Sequence, residues 1–196
     1  MKKVLYIDCC IRRENSRSKE LAEFFIDQLE KTGKYNVERL CLMDEGLSYF
    51  SDGFFLQREA LLAEGEFDHP RFPYAHRCAA ADTIVIAAPF WHLSFPALLK
   101  VYIENLCVDG ITFHSDETGL HGLCKADHMV FLTARGGIYT DSPMEQGARY
   151  LEQMAAFFGI AKFDCVAAEG LDIGAWPVVE LMEQAKEKAA EVAKAF

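Results

Sequence analysis

Thr83-Ile84-Val85-Ile86-Ala87-Ala88, stopped by Pro89, is the stretch that decides the fold. It is apolar at odd and even positions alike, so both faces of the strand it predicts are covered, the condition of a central strand in a parallel sheet. Proline ends the run because it has no N–H to offer a neighbouring strand. Upstream, Val4–Asp8 (VLYID) is a second short β-prone run. A polar segment, IRRENSRS, follows it, and then Leu21, Ala22, Phe25, Ile26 and Leu29 fall at helical spacing. A turn over Lys31–Lys34 leads to a weaker strand over Tyr35–Met43. Residues 44–82 read as an aromatic-rich loop (LSYFSDGFF), a short helix around Leu56–Ala63, a polar stretch with proline, and a helix near Tyr74–Ala81.

Downstream of Pro89, Pro96 stands where a helix would begin, and Leu98, Leu99, Tyr102, Ile103 and Leu106 continue its apolar face. Met129–Ala134 (MVFLTA) is a fourth strand, closed by Arg135-Gly136-Gly137. A helix over Pro143–Phe158, a strand over Phe163–Ala168 and a long amphipathic helix from Pro177 onward complete the pattern. Strands alternating with helices, on connections long enough for right-handed crossovers, predict an α/β fold: a doubly wound sheet of five parallel strands with helices on both faces. The 196 residues suit a single domain over 1–196.

The formal charge of −10 would repel phosphate backbones, and no Lys/Arg cluster offsets it, so neither nucleic acid nor an anionic membrane is an expected partner. The N-terminal MKKVLYIDCC is broken by Asp8 and the arginines after it, which is unlike a signal peptide, and no apolar run approaches a membrane span. A soluble, cytoplasmic protein is expected. The seven cysteines have no CxxC spacing and read as free thiols; the six histidines show no HxxxH or HExxH pattern, so no metal is expected. Walker A, GxSxG and GxGxxG motifs are all missing, which disfavours nucleotide hydrolysis, an α/β-hydrolase and a Rossmann dinucleotide site.

In a doubly wound sheet, ligands lie beyond the carboxyl ends of the strands at the switch in strand order, which singles out residues 9–18, 89–95 and 134–142. The first of these loops ends in Asn15-Ser16-Arg17-Ser18 at a helix mouth, where free N–H groups favour an anion; an ordinary helix cap would use the same serine. The second, Pro89-Phe90-Trp91-His92-Leu93-Ser94-Phe95-Pro96, puts aromatic rings where a loop is usually polar, suited either to a flat ligand or to packing against a helix or second subunit. His92 is either a proton-transfer group or a hydrogen-bonding surface residue. The third, Ala134-Arg135-Gly136-Gly137-Ile138-Tyr139, permits close approach of backbone to a ligand or forms a plain turn, and Arg135 faces either a ligand's negative charge or a carboxylate.

Together these loops resemble the FMN-dependent NADH-azoreductase and quinone reductase family, a branch of the flavodoxin-like fold. The resemblance runs through VLYIDCC with ENSRSKELAEFF, then ADTIVIAAPFWHLSFPALLKVYIENL, GITF and TARGGIYTDSP. It implies a bound FMN whose phosphate is held by Ser16, Arg17 and Ser18, with Cys9 close by where the family often has serine. Pro89, Phe90, Trp91, His92 and Leu93 then pass along the isoalloxazine; Gly136 and Gly137 approach its pyrimidine side, with Ala134 and Arg135 also counted among the cofactor-binding residues; Trp91, Phe113 and Tyr139 line a substrate pocket at a homodimer interface. It also implies two-electron ping-pong turnover, with NADH or NADPH as co-substrate, a quinone, azo compound or similar electrophile as acceptor, and the hydride carried by flavin N5 instead of a protein nucleophile. His92 is the one side chain put forward for proton transfer. Trp91, His92, Ala134 and Tyr139 stand where the family commonly has tyrosine, asparagine, serine and histidine. An electron-carrier flavodoxin with no NAD(P)H oxidation of its own is the alternative, though the chain lacks the [ST]xTGxT-like loop that such carriers resemble.

Overall fold

The computed structural model describes residues 1–196. Its main sheet holds five strands, β1 (Lys2–Asp8), β2 (Tyr35–Cys41), β3 (Thr83–Ala87), β6 (His128–Ala134) and β7 (Lys162–Ala168), in the order β2-β1-β3-β6-β7. Every neighbouring pair is parallel. The helices are α1 (Arg17–Lys31), α2 (Asp52–Ala63), α3 (Pro73–Ala80), α4 (Ala97–Leu106), α5 (Gly147–Phe157) and α6 (Val178–Ala193). A short antiparallel hairpin, β4 (Phe113–Asp116) with β5 (Gly119–Gly122), stands apart from the sheet. The strand order is that of the flavodoxin-like fold, and the direction of winding reverses between β1 and β3.

The alternation of side chains along each strand builds two cores, one on each face. Leu5, Ile7, Ile84, Ile86, Met129 and Phe131 pack under α4 and α5, meeting Leu99, Tyr102, Ile103, Leu151 and Ala155. Val4, Tyr6, Val85, Val130, Leu132 and Val166 pack under α1 and α6, meeting Leu21, Phe25, Ile26, Leu29, Met182 and Ala189. The helical spacing in Leu21–Leu29 is thus the buried stripe of α1. At the end of α5, Gly159 takes a left-handed φ of 82° and the Ile160 N–H bonds the Ala155 carbonyl, closing the helix with a Schellman turn.

Three local expectations change. α2 begins at Asp52, because the Ser51 hydroxyl accepts the Phe54 N–H and caps the helix there; Phe54 and Phe55 are therefore helical, not part of the loop. α5 starts at Gly147 instead of Pro143, since the Glu145 carboxylate accepts the Ala148 N–H at 2.9 Å and the residues before it form turns. The β4–β5 hairpin was not expected. Its strands are polar and short, but its turn is coded: Asp116 Oδ1 accepts the Thr118 N–H at 2.7 Å, and Gly119 supplies the φ of 127° that the return strand needs.

Candidate functional site

The loop after β1 is held from below by Asp8, almost fully buried, whose Oδ1 accepts the Cys10 N–H at 2.8 Å. It delivers the chain to Ser16, the N-cap of α1, whose hydroxyl accepts the Lys19 N–H at 3.4 Å. The first N–H groups of a helix have no carbonyl partner within it, and the helix dipole adds partial positive charge, so negative charge is favoured at this helix mouth. Ser18, also buried, ties α1 to the end of β6 by accepting the Ala134 N–H at 2.9 Å. The Arg17 guanidinium sits 2.9 Å from Asp172, a residue of the loop after β7. Cys9 lies beneath the loop in the α4 and α5 core, its thiol pushed up to about 12 by burial.

After β3 the chain stays in register with β6, the Phe90 N–H bonding the Ala134 carbonyl at 3.2 Å. It then reverses in a tight turn in which Trp91 and Ser94 exchange both backbone hydrogen bonds, at 3.0 and 2.9 Å. The two residues at the tip, His92 and Leu93, have φ of 51° and 68°, a left-handed geometry that side chains with Cβ atoms resist. Their N–H groups have no partner within the chain. Strained, unpaired backbone of this kind concentrates where a ligand is received.

Beyond β6, Arg135 is buried at 2% exposure and paired on both arms, with Glu169 at 3.0 Å and Glu145 at 3.1 Å. Of the two readings of Arg135, the carboxylate partner is the one observed. Burial alone would raise the Glu169 carboxyl, but hydrogen bonds from Thr140 and the Tyr139 N–H, together with Arg135, hold it below its ordinary value. The loop after β7 zips onto this segment: the Gly170, Leu171 and Asp172 N–H groups bond the carbonyls of Gly137, Arg135 and Gly136. The Gly136 and Gly137 N–H groups carry no protein partner. A Cβ at Gly136 would come within 2.5 Å of Asp172 Oδ2, so a larger residue there would push that exposed carboxylate aside.

Ser16, Arg17, Ser18, Pro89, Phe90, Trp91, Ala134, Arg135 and Gly136 come together in one cleft of about 210 Å³. Three further lining residues, Arg12, Leu171 and Asp172, escaped the sequence reading; the signal that could have found the last two is their position just past the carboxyl end of β7. At Trp91 the cleft adjoins a wider trough of about 680 Å³ lined by His92, Lys100, Gln146 and Tyr150. Tyr139 packs on Phe90 with ring centres 4.6 Å apart and the planes tilted by 40°, and its ring covers the Gly137 backbone. Phe113 is not in the cleft of its own chain; it packs on Phe157 at 4.7 Å. No three His, Cys, Asp or Glu side chains gather as metal ligands, and no helix is long and apolar enough to cross a membrane.

A helix mouth with free N–H groups, a strained aromatic turn and a pair of glycines thus meet at the switch point, and residues 2–193 match the family model described as flavodoxin-like fold. The chain belongs to that family. Over its full length it is 41% identical to FMN-dependent NADH:quinone oxidoreductase 2 of Clostridium acetobutylicum and 36% identical to the FMN-dependent NADH:quinone oxidoreductase of Clostridium beijerinckii, covering all of both. Among solved structures it is similar to an azoreductase from Bacillus anthracis str. Sterne, with a TM-score of 0.89 at 28% identity and full coverage of both chains. These likenesses lie in the quinone reductase and azoreductase branch that the sequence motifs resemble.

Proposed function

We propose that the chain is an FMN-dependent NAD(P)H oxidoreductase that reduces quinones, azo compounds or similar small electrophiles, working as one FMN-binding domain in the cytoplasm. The observation that carries the proposal is the convergence in one cleft of nine residues expected to touch the cofactor. The cleft fits FMN in chemistry. The α1 mouth, Ser16 and Arg17 would hold the phosphate, and the unpartnered N–H groups of His92, Leu93, Gly136 and Gly137 would meet the polar edge of the ring, stabilising negative charge on it. When bound, FMN supplies the two-electron chemistry between nicotinamide and acceptor. The chain's own part is to orient it, exclude water with Phe90, Trp91 and Tyr139, and receive both substrates in turn in the trough beside Trp91. His92 lines that trough and would exchange a proton with the acceptor there. The relatives' names favour this reading over an electron carrier. The test is a flavin spectrum of the purified protein followed by NADH and NADPH oxidation with a quinone and with an azo dye; a protein that binds FMN but oxidises neither nicotinamide would be a carrier.

Charge around the phosphate gives a pair of opposed predictions. Arg17→Ala should weaken FMN by about 10- to 100-fold, the loss of one charge-assisted hydrogen bond of roughly 1.5–3 kcal/mol. Asp172→Asn should tighten FMN by about 3- to 10-fold, because it frees Arg17 and removes a carboxylate beside a dianion in a solvent-screened setting. Riboflavin, which lacks the phosphate, should respond to neither. Flavin-fluorescence titrations of both ligands decide it, and equal shifts for riboflavin would refute the placement of the phosphate.

A homodimer follows from the same reading. Phe113 lies outside its own chain's cleft and so can line one only from a second copy, and Tyr49, Phe55, Leu56 and Trp91 leave large apolar surface uncovered. Light scattering at micromolar concentration should give twice the 22.1 kDa of the chain; a fully active monomer would sink this expectation.

A further inference from the structure

Three cysteines the proposed chemistry does not use, Cys78, Cys107 and Cys124, belong to or border the core beneath α3 and α4. Cys78 is fully buried on α3, whereas Cys124, just beyond β5, is partly exposed. Their sulfurs are 3.9 Å apart although the residues are 46 positions apart in the chain. The backbones on either side are also joined, the Lys125 N–H bonding the Ala79 carbonyl at 3.0 Å, and Lys125 anchors the segment again through Asp82 at 2.7 Å. A disulfide needs its Cα atoms at roughly 4.4–6.8 Å, a separation that adjacent hydrogen-bonded segments supply, so rotation of the two side chains can bring the sulfurs to bonding distance. Cys124 can be spared for this: its thiol makes only a long 3.8 Å contact to the Thr112 carbonyl.

We propose that Cys78 and Cys124 form a reversible, peroxide-driven disulfide that fastens the β4–β5 hairpin, and with it Phe113, to α3. The oxidant is a hydroperoxide. The Cys124 sulfur, reached from solvent, attacks the terminal peroxide oxygen; an S–O bond forms, the O–O bond breaks, and the departing oxygen takes up the proton that the Cys124 thiol gives up and leaves as alcohol or water. The Cys78 sulfur then attacks the sulfenic sulfur of Cys124, forming S–S and expelling the hydroxyl as water with the proton that Cys78 gives up. In sum, two thiols and one hydroperoxide give one disulfide, one alcohol or water, and one further water. Cys78 suits the second role by its position: it is buried out of reach of peroxide, and its sulfur is 3.9 Å from the one it must attack. Cys107, raised to about 11 mainly by burial, is a bystander.

The test exposes the intact protein to hydrogen peroxide and reads, without reduction, intact mass, free thiols and the peptides cut by trypsin together with a glutamate-specific protease, which separates Cys107 from Cys124 at Glu117. The expected result is loss of two hydrogen masses and of two of the seven thiols, a peptide linking Cys78 to Cys124, and full reversal by dithiothreitol. Closing so long a loop should raise the melting temperature by about 5–10 °C, and hydrogen exchange over residues 113–122 should slow. Cys107→Ser should keep the link and Cys124→Ser should abolish it. Oxygen adducts on Cys124 without a cross-link, or a cross-link between other cysteines, in the unmodified sequence would overturn the proposal whether or not the variants fold.

Discussion

Replacing Arg135 with methionine should cost about 3–5 kcal/mol of stability, because it leaves two carboxylates, Glu145 and Glu169, facing a buried position with no positive charge between them. Denaturant unfolding at about pH 7 measures the loss. A pH dependence should accompany it. The Glu169 carboxyl is held below its ordinary 4.5 in the folded protein, so its contribution is complete above that value and is lost as pH falls through the lowered one. The gap between wild type and Arg135→Met should therefore be full near pH 7 and narrow on acidification below about 4.5. Because Glu169 also accepts the Tyr139 and Thr140 N–H groups, the variant should loosen residues 139–140 and weaken FMN as well. An Arg135→Met protein as stable as wild type would show that this ion-pair network carries no part of the fold.

Gly122→Ala should be nearly as damaging. A Cβ there would lie 2.0 Å from the Gly159 nitrogen and 2.1 Å from the Phe158 carbonyl carbon, and backbone at a Schellman turn cannot step aside as a side chain can. The expected loss is about 3 kcal/mol or more, a fall of roughly 6–12 °C in melting temperature for a chain of this size. Gly46→Ala, where a Cβ meets nothing within 4 Å, is the control and should stay within about 0.5 kcal/mol of wild type. Equal melting of the two variants would mean that the hairpin does not rest on α5 as described.

What was legible in the sequence was what burial writes there. Thr83–Ala87 and His128–Ala134 are covered on both faces, so their apolar runs announced the sheet, and the stripe of Leu21, Phe25 and Leu29 announced α1. The loops at the strand ends could then be located by topology alone, which is why most of the cleft was anticipated. Less visible were features set by pairing across long sequence separations. Arg135 finds Glu169 only once β6 and β7 lie side by side, and Asp172 meets Arg17 across 155 positions. α2 buries none of its residues, so its start was fixed by a single serine cap that a hydrophobic pattern does not reveal. The β4–β5 hairpin is written in polar turn residues, and Phe113 gave no sign that its own chain would seat it on Phe157.

The turn at His92 and Leu93 has an evolutionary consequence. Two successive residues with Cβ atoms hold left-handed backbone at the tip, where glycine or asparagine would sit with less strain. Glycine at either position would relieve a strain of roughly 1–2 kcal/mol, give part of it back as freedom of the unfolded chain, and release the two N–H groups from a fixed direction. Selection for robustness and selection for ligand recognition therefore pull in opposite directions at these two positions, and a lineage that keeps the strain records which of the two has prevailed.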